Sequence, residues 1–272
     1  MSQATVTKPT SITDAPFHPS VAVADLAKAK AWYSEKLGWD PVFEPSGTAV
    51  YRVGESSFTL YESDFAGTAK NTVMNWSVND VRAEVTRLRA RGIVFEEYDF
   101  GEAKTDDGIM TDPGGGGMNA WFKDLDGNIV GIISSGMGGP PLEPGAEISA
   151  MIAAADLERA KRWYTEKLGF EPDFQFPDVL ATYKSGPSTF TVYKTEFAGT
   201  AKNTVGVWRL TGLRDAVARL RERGVVFEEY DFGDRGKTVD GILSDVDGDL
   251  NAWFKDSEGN VLSLLEDRDP SL

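Results

Sequence analysis

At 272 residues, with 28 basic and 43 acidic side chains and a net charge of −15, the chain suits one large or two ordinary domains, and its acidic surface excludes nucleic acid and anionic lipid as partners. With no cysteine there is no disulfide framework, no thiolate metal site and no cysteine nucleophile. No apolar run approaches the roughly 20 residues of a bilayer span, and Met1–Thr13 lacks the order of a signal peptide, so a soluble cytoplasmic protein is expected.

Residues 1–13 are expected to form a disordered tail. Phe17 to Ala24 is a short apolar stretch that predicts a strand. Asp25 then caps a helix whose apolar positions are Leu26, Ala29, Trp32, Tyr33 and Leu37, and Gly38 ends it. Strands follow over 49–53 and 57–62, turning at Gly54-Glu55, then a loop over 63–70 and a strand over 72–78. Val81, Val85 and Leu88 form the stripe of a second helix over 81–91, stopped by Gly92. Val94 to Tyr98 predicts a further strand, with Glu96-Glu97 as a solvated strand end. Met118–Lys123 and Ile129–Ile133 predict a hairpin through Asp124-Leu-Asp-Gly-Asn128.

The same order then begins again. FAGTAKNTV stands at 65–73 and 197–205, VFEEYDFG at 94–101 and 226–233, and NAWFKD at 119–124 and 251–256, all at an offset of 132. Tyr33–Gly38 matches Tyr164–Gly169 at an offset of 131. A period this long is a duplicated domain. Its first copy covers 14–135, its second covers 146–267, and the Gly/Pro-rich 136–145 is the linker between them.

Val23-Ala-Asp-Leu26 with Trp32-Tyr33 and Leu37-Gly38, then Phe122-Lys-Asp-Leu-Asp-Gly-Asn128, each with its second-copy partner, resemble the vicinal oxygen chelate superfamily. That superfamily includes glyoxalase I, bleomycin-resistance proteins, fosfomycin-resistance enzymes and extradiol dioxygenases. The resemblance implies an α+β fold of tandem βαβββ modules, whose curled mixed sheets form concave cavities. It does not specify a reaction.

The resemblance also implies places for divalent-metal ligands. The first-strand place holds His18, the chain's only histidine, and Ser149 in the second copy. The third-strand place holds Thr59 and Thr191, and the strand after the loop holds Val73 and Val205. In the last strand the family's glutamate becomes Gly131 and Ser263. Threonine, valine and glycine are poor or useless donors, and one histidine does not hold a metal tightly. The expectation is therefore no metal and no other cofactor.

His18 has two readings, a general base or ligand-binding donor, and a strand-start histidine bonded to backbone. Asp245–Asn251 is reminiscent of a calcium loop, but its glycine is misplaced and no glutamate closes it. Gly114–Gly117 leads into a strand, so it is no phosphate cradle.

Strand alternation puts Asn119 and Trp121 on one face and Ala120 and Phe122 on the other. By resemblance the Phe122 face meets the helices. Asn119 and Trp121 then line the cavity, as do Asn251 and Trp253. The same alternation adds Thr59, Tyr61 and Asn75, with Thr191, Tyr193 and Arg209 in the second copy. Indoles beside amides and hydroxyls suit a flat, partly polar organic ligand. The expected function is a metal-independent pocket, in a monomer or homodimer, that binds or sequesters a small aromatic or hydrophobic molecule. The rival expectation is a metal-dependent glyoxalase-like lyase, isomerase or dioxygenase.

Overall fold

The computed structural model describes residues 9–45, 47–101, 103–112, 117–134, 147–245 and 248–268. They form two compact units, one of the described residues within 19–153 and 200–205, the other of those within 9–18, 154–199 and 206–268. Each is mainly one sequence copy, and below they are called the first-copy and second-copy units. The linker 136–145 and Gly114–Gly116 lie outside the described residues.

The first-copy unit opens on β1 (Phe17–Val23) and α1 (Leu26–Trp32), capped by the Asp25 carboxylate, which accepts from Lys28 N. The helix widens into a π-type turn over Tyr33–Leu37, and Gly38 stops it at φ +76, a left-handed value that glycine adopts without a Cβ clash. β2 (Thr48–Val53) and β3 (Ser56–Glu62) form an antiparallel hairpin, and β1 lies parallel to β3. β4 (Thr72–Ser77) leads to α2 (Val81–Ala90), capped by Asp80 and buried along Val81, Val85 and Leu88. β5 (Thr105–Asp106), β6 (Ile109–Thr111), β7 (Met118–Lys123) and β8 (Ile129–Ser134) follow as an antiparallel run. β8 is parallel to β4, which is antiparallel to β9 (Glu147–Ala154) on its other edge. The sheets are thus mixed, as the resemblance implies.

The predicted strand over 94–98 is corrected. Only Phe95 bridges to Phe122, and Glu96 N reaches Trp121 O. Beyond that the backbone bends away, because Tyr98 N takes the Thr105 hydroxyl instead. Glu97 is exposed, as expected, but its carboxylate also accepts Gly108 N at 2.8 Å, bracing a turn in which Asp107 and Gly108 hold φ of +51 and +70. Glu229 does the same for Gly241.

The turn after β7 is a buried polar knot. Asp124, 7% exposed, accepts from the Tyr33 hydroxyl at 3.0 Å, from Asp126 N and Asn128 N, and from Asn128 Nδ2. Asn128 Nδ2 also donates to Ala22 O, tying the turn to β1. The FAGTAKNTV loops meet reciprocally: Lys70 N donates to Thr200 Oγ1 and Lys202 N to Thr68 Oγ1. A self-complementary contact of this kind requires the same residue on both sides, which the verbatim repeat supplies.

In the second-copy unit, α3 (Leu157–Trp163) and its π-type turn Tyr164–Leu168 precede β10 (Phe174–Phe176), β11 (Leu180–Ser185) and β12 (Ser188–Lys194), an antiparallel set. β13 (Thr204–Arg209), α4 (Leu213–Glu222) and the antiparallel run β14 (Leu243–Ser244), β15 (Leu250–Lys255), β16 (Val261–Glu266) complete it. Residues 9–13, assigned by sequence to a disordered tail, are held here. Thr211 N donates to Pro9 O, Arg219 to Thr10 O and Gly186 N to Thr13 O, while Ile12 is buried.

The copies differ in the core at one tryptophan. Trp208 is fully buried and donates its indole N–H to Ser185 Oγ at 2.9 Å, while Ser185 donates to Ala15 O. In the first copy Val53 stands in place of Ser185, and Trp76 Nε1 finds no acceptor among the described residues. A Ser185→Val substitution strands a buried donor and a buried carbonyl, and is expected to lower the unfolding free energy by about 2 kcal/mol in urea titration. A cost below about 0.5 kcal/mol would show that the hydroxyl is dispensable.

Candidate functional site

The residues proposed for the site fall on particular strand rows. In the first-copy unit, pairing places Ser149, Asn75, Gly131 and Trp121 side by side across β9, β4, β8 and β7. One row along, Asn119 lies between Ile133 and Met110. Phe122 points the other way, fully buried against Trp32 and Phe95, so Trp121 lies on the face away from α1.

Gly131 is the centre of this row. A Cβ placed there would lie 2.1 Å from Asn75 Oδ1 and 3.4 Å from Trp121 Nε1. The space that a side chain of β8 would claim is therefore taken by an amide and an indole. Asn75 Nδ2 donates to Met151 Sδ at 3.1 Å, while its buried Oδ1 meets no donor among the described residues. Such an orphaned acceptor costs roughly 1–3 kcal/mol unless water or a ligand supplies an N–H or O–H.

Trp121 is half-buried, and two aromatic rings that sequence reading missed stand against it. Tyr98 meets it edge-on at 5.5 Å and Phe100 at 6.0 Å, and Phe100 is itself 61% exposed. The second copy repeats the trio: Tyr230 and Phe232 lie 5.8 and 5.3 Å from Trp253. The signal was VFEEYDFG, repeated letter for letter, which carries the tyrosine and phenylalanine of both trios. Burial, with Glu96 nearby, raises the Tyr98 hydroxyl above its ordinary value, so it stays a protonated donor.

The other predicted residues are distributed elsewhere. Thr59 and Tyr61 lie on β3 beside Ser20 and Ala22, and the Tyr61 hydroxyl donates to Thr204 O at 3.2 Å. His18 is half-buried in β1, on the face opposite Phe17. In the second-copy unit Thr191 is buried with its hydroxyl 3.0 Å from that of Thr182, and Tyr193 pairs with Leu180. Asn251 pairs with Leu265, and Trp253 with Ser263. Arg209 is committed to Asp267 through contacts of 2.9 and 3.1 Å, so its charge is already balanced.

The metal positions implied by the resemblance do not fit an ion in this unit. Ser149 and Gly131 flank Asn75, and the β8 place that a carboxylate would need is filled by Asn75. Among the described residues no three His, Asp or Glu side chains are grouped to hold a metal. No helix of the described residues is long and apolar enough to cross a membrane.

Comparison with known proteins agrees with the duplication. A family model described as Glyoxalase/Bleomycin resistance protein/Dioxygenase superfamily matches residues 16–132 and again 148–264. No curated protein matches. Among solved structures, glyoxalase I from Zea mays aligns at 15% identity over 92% of this chain and 91% of its own, with a TM-score of 0.63. A putative dioxygenase from Bacillus subtilis subsp. subtilis str. 168 aligns at 13% identity over 97% and 87%, with a TM-score of 0.57. At these identities the likeness is one of fold.

Proposed function

This chain belongs to the Glyoxalase/Bleomycin resistance protein/Dioxygenase superfamily, and within it we propose that the protein is a metal-independent binder of small, flat aromatic or hydrophobic molecules. The observation that carries the reading is Gly131, where an amide and an indole occupy the space of a metal-binding side chain. Stacking on Trp121 with Tyr98 and Phe100 supplies apolar contact, and Asn75 Oδ1 supplies an acceptor for a ligand N–H or O–H. The ligand would be sequestered rather than transformed.

Two measurements test this. Protein purified without added metal is expected to carry well under one equivalent of zinc, iron, manganese or nickel by elemental analysis. Stoichiometric metal held by imidazole or carboxylate would replace this reading with the metal-dependent enzyme. A panel of planar aromatic compounds is expected to quench tryptophan emission saturably, with affinity reduced about tenfold or more in Trp121→Ala. Unchanged affinity in that variant and in Trp253→Ala would remove the indoles from the site.

A further inference from the structure

A cavity lies in the second-copy unit, on residues that the proposed function does not use. It has a volume of about 180 Å³ and is lined by Ser11, Thr13, Gly169 and Ala216 with the guanidinium-bearing Arg219 and Arg223. Ile12, Leu168 and Leu220, all buried, form its apolar floor.

Comparison of the two copies shows what this cavity lacks. On α2, Glu84 is held by Arg87 one turn later, with Nε at 2.8 and 3.0 Å from the two carboxylate oxygens and a further Nη2 contact. On α4 the arginine is kept as Arg219, but the glutamate has become Ala216. The exchange removes both a charge and the volume of a carboxyethyl group. Among the described residues neither Arg219 nor Arg223 has a carboxylate within ion-pair distance. Arg219 donates instead to Thr10 O at 2.6 Å, which fixes the segment that supplies Ser11, Ile12 and Thr13 to the lining. Arg223 lies against Gly169, where a Cβ would come within 2.9 Å of Nη1. The Ser11 and Thr13 hydroxyls, bonded to each other at 2.9 Å, also line the cavity.

We propose that this cavity is a binding site for a compact oxyanion, a carboxylate or phosphate with at most a short apolar tail. The ligand takes the place that the Glu84 carboxylate fills in the first copy. Guanidinium suits this because its planar fork matches two oxygens at once. The chain's net charge of −15 opposes anions at long range, but salt screens that field beyond about 8 Å, so the local pair of arginines governs. The inference is independent of the aromatic site, none of whose residues line this cavity.

The test is calorimetric titration of the full chain with inorganic phosphate and, separately, with sodium butyrate, chloride holding the ionic strength constant. Saturable one-to-one binding with a dissociation constant on the order of 1 mM is expected for at least one of the two, and which one identifies the source. Arg219→Gln is expected to weaken it at least tenfold. Ala216→Glu restores the internal pair of the first copy, so it is expected to abolish anion binding while raising the unfolding temperature without anion. Absence of saturable binding by wild type up to about 50 mM of either anion would overturn the proposal, as would equal binding by wild type and Ala216→Glu.

Discussion

Replacing Asp124 by alanine is expected to lower the unfolding free energy by about 3–5 kcal/mol, a large part of the roughly 5–15 kcal/mol that holds a domain folded. The carboxylate is buried and satisfies four donors, two of them backbone N–H groups and one the Tyr33 hydroxyl. Removing it leaves those donors in a dry site where each unmade bond costs the full desolvation of its group. The same knot ties the turn to β1 through Asn128 and Ala22 O, so its loss also loosens the sheet edge.

This residue also gives the protein an inverted response to mild acid. Burial raises the Asp124 carboxyl from 3.8 to about 6, against the hydrogen bonds from Asn128 and Tyr33, which favour the charge. Asp256 is raised in the same way to about 6. The native state therefore binds protons that the unfolded chain has already released. Their favourable contribution is complete below the unfolded value and is lost as pH rises through about 6. Unfolding followed in urea between pH 7 and pH 5 is expected to show these two groups adding stability on acidification, by roughly 1 kcal/mol each. Asp124→Asn should flatten half of that gain. A slope unaltered by Asp124→Asn would show that the group titrates normally.

The second large effect is expected at Arg159. Glu258, whose side chain is 0% exposed, is held by Arg159 at 2.8 and 2.9 Å and by the N–H groups of Ala155 and Asp156. Arg159→Leu leaves that carboxylate buried with backbone donors alone, and about 3 kcal/mol of stability is expected to be lost at pH 7. The pH sense is opposite to that of Asp124. Burial opposes the Glu258 charge, but the bonds from Arg159, Asp156 and Ala155 outweigh it and hold the carboxyl below its ordinary value of 4.5. The contribution of Glu258 is present above the unfolded value and is lost as pH falls through the depressed native one. The deficit of Arg159→Leu should therefore shrink as pH falls through the depressed native value. A deficit equal at pH 7 and pH 3 would mean that the arginine acts through packing alone. The first copy has Lys28 and Asp126 at these places, and one Asp126 oxygen is buried without a donor among the described residues.

Much of this architecture was legible in the residues alone. Verbatim repeats at one offset declared the duplication, and Asp25 with its repeat partner Asp156 announced helix starts that the structure bears out as side-chain caps. Alternation along Asn119–Phe122 separated the helix-facing ring from the outward indole, because a strand's period of two leaves little freedom. The residue types at Gly131 and Ser149 were equally legible, since identity needs no geometry.

Other features depended on contacts distant in sequence. Tyr98 and Phe100 stand against Trp121 only because the chain leaves β7 after one bridge and turns back through Thr105. Asn75 fills the space at Gly131 because β4 and β8 are parallel neighbours, a pairing that local pattern does not dictate. The tail residues 9–13 are ordered by Thr211, Arg219 and Gly186, roughly two hundred positions away, and polarity in sequence gave no hint of it. Sequence alone determined most of the segments that become helix or strand, because these follow from single residues and short periods. Tertiary structure decided which side chains meet, because strand pairing brings together groups that the chain keeps far apart.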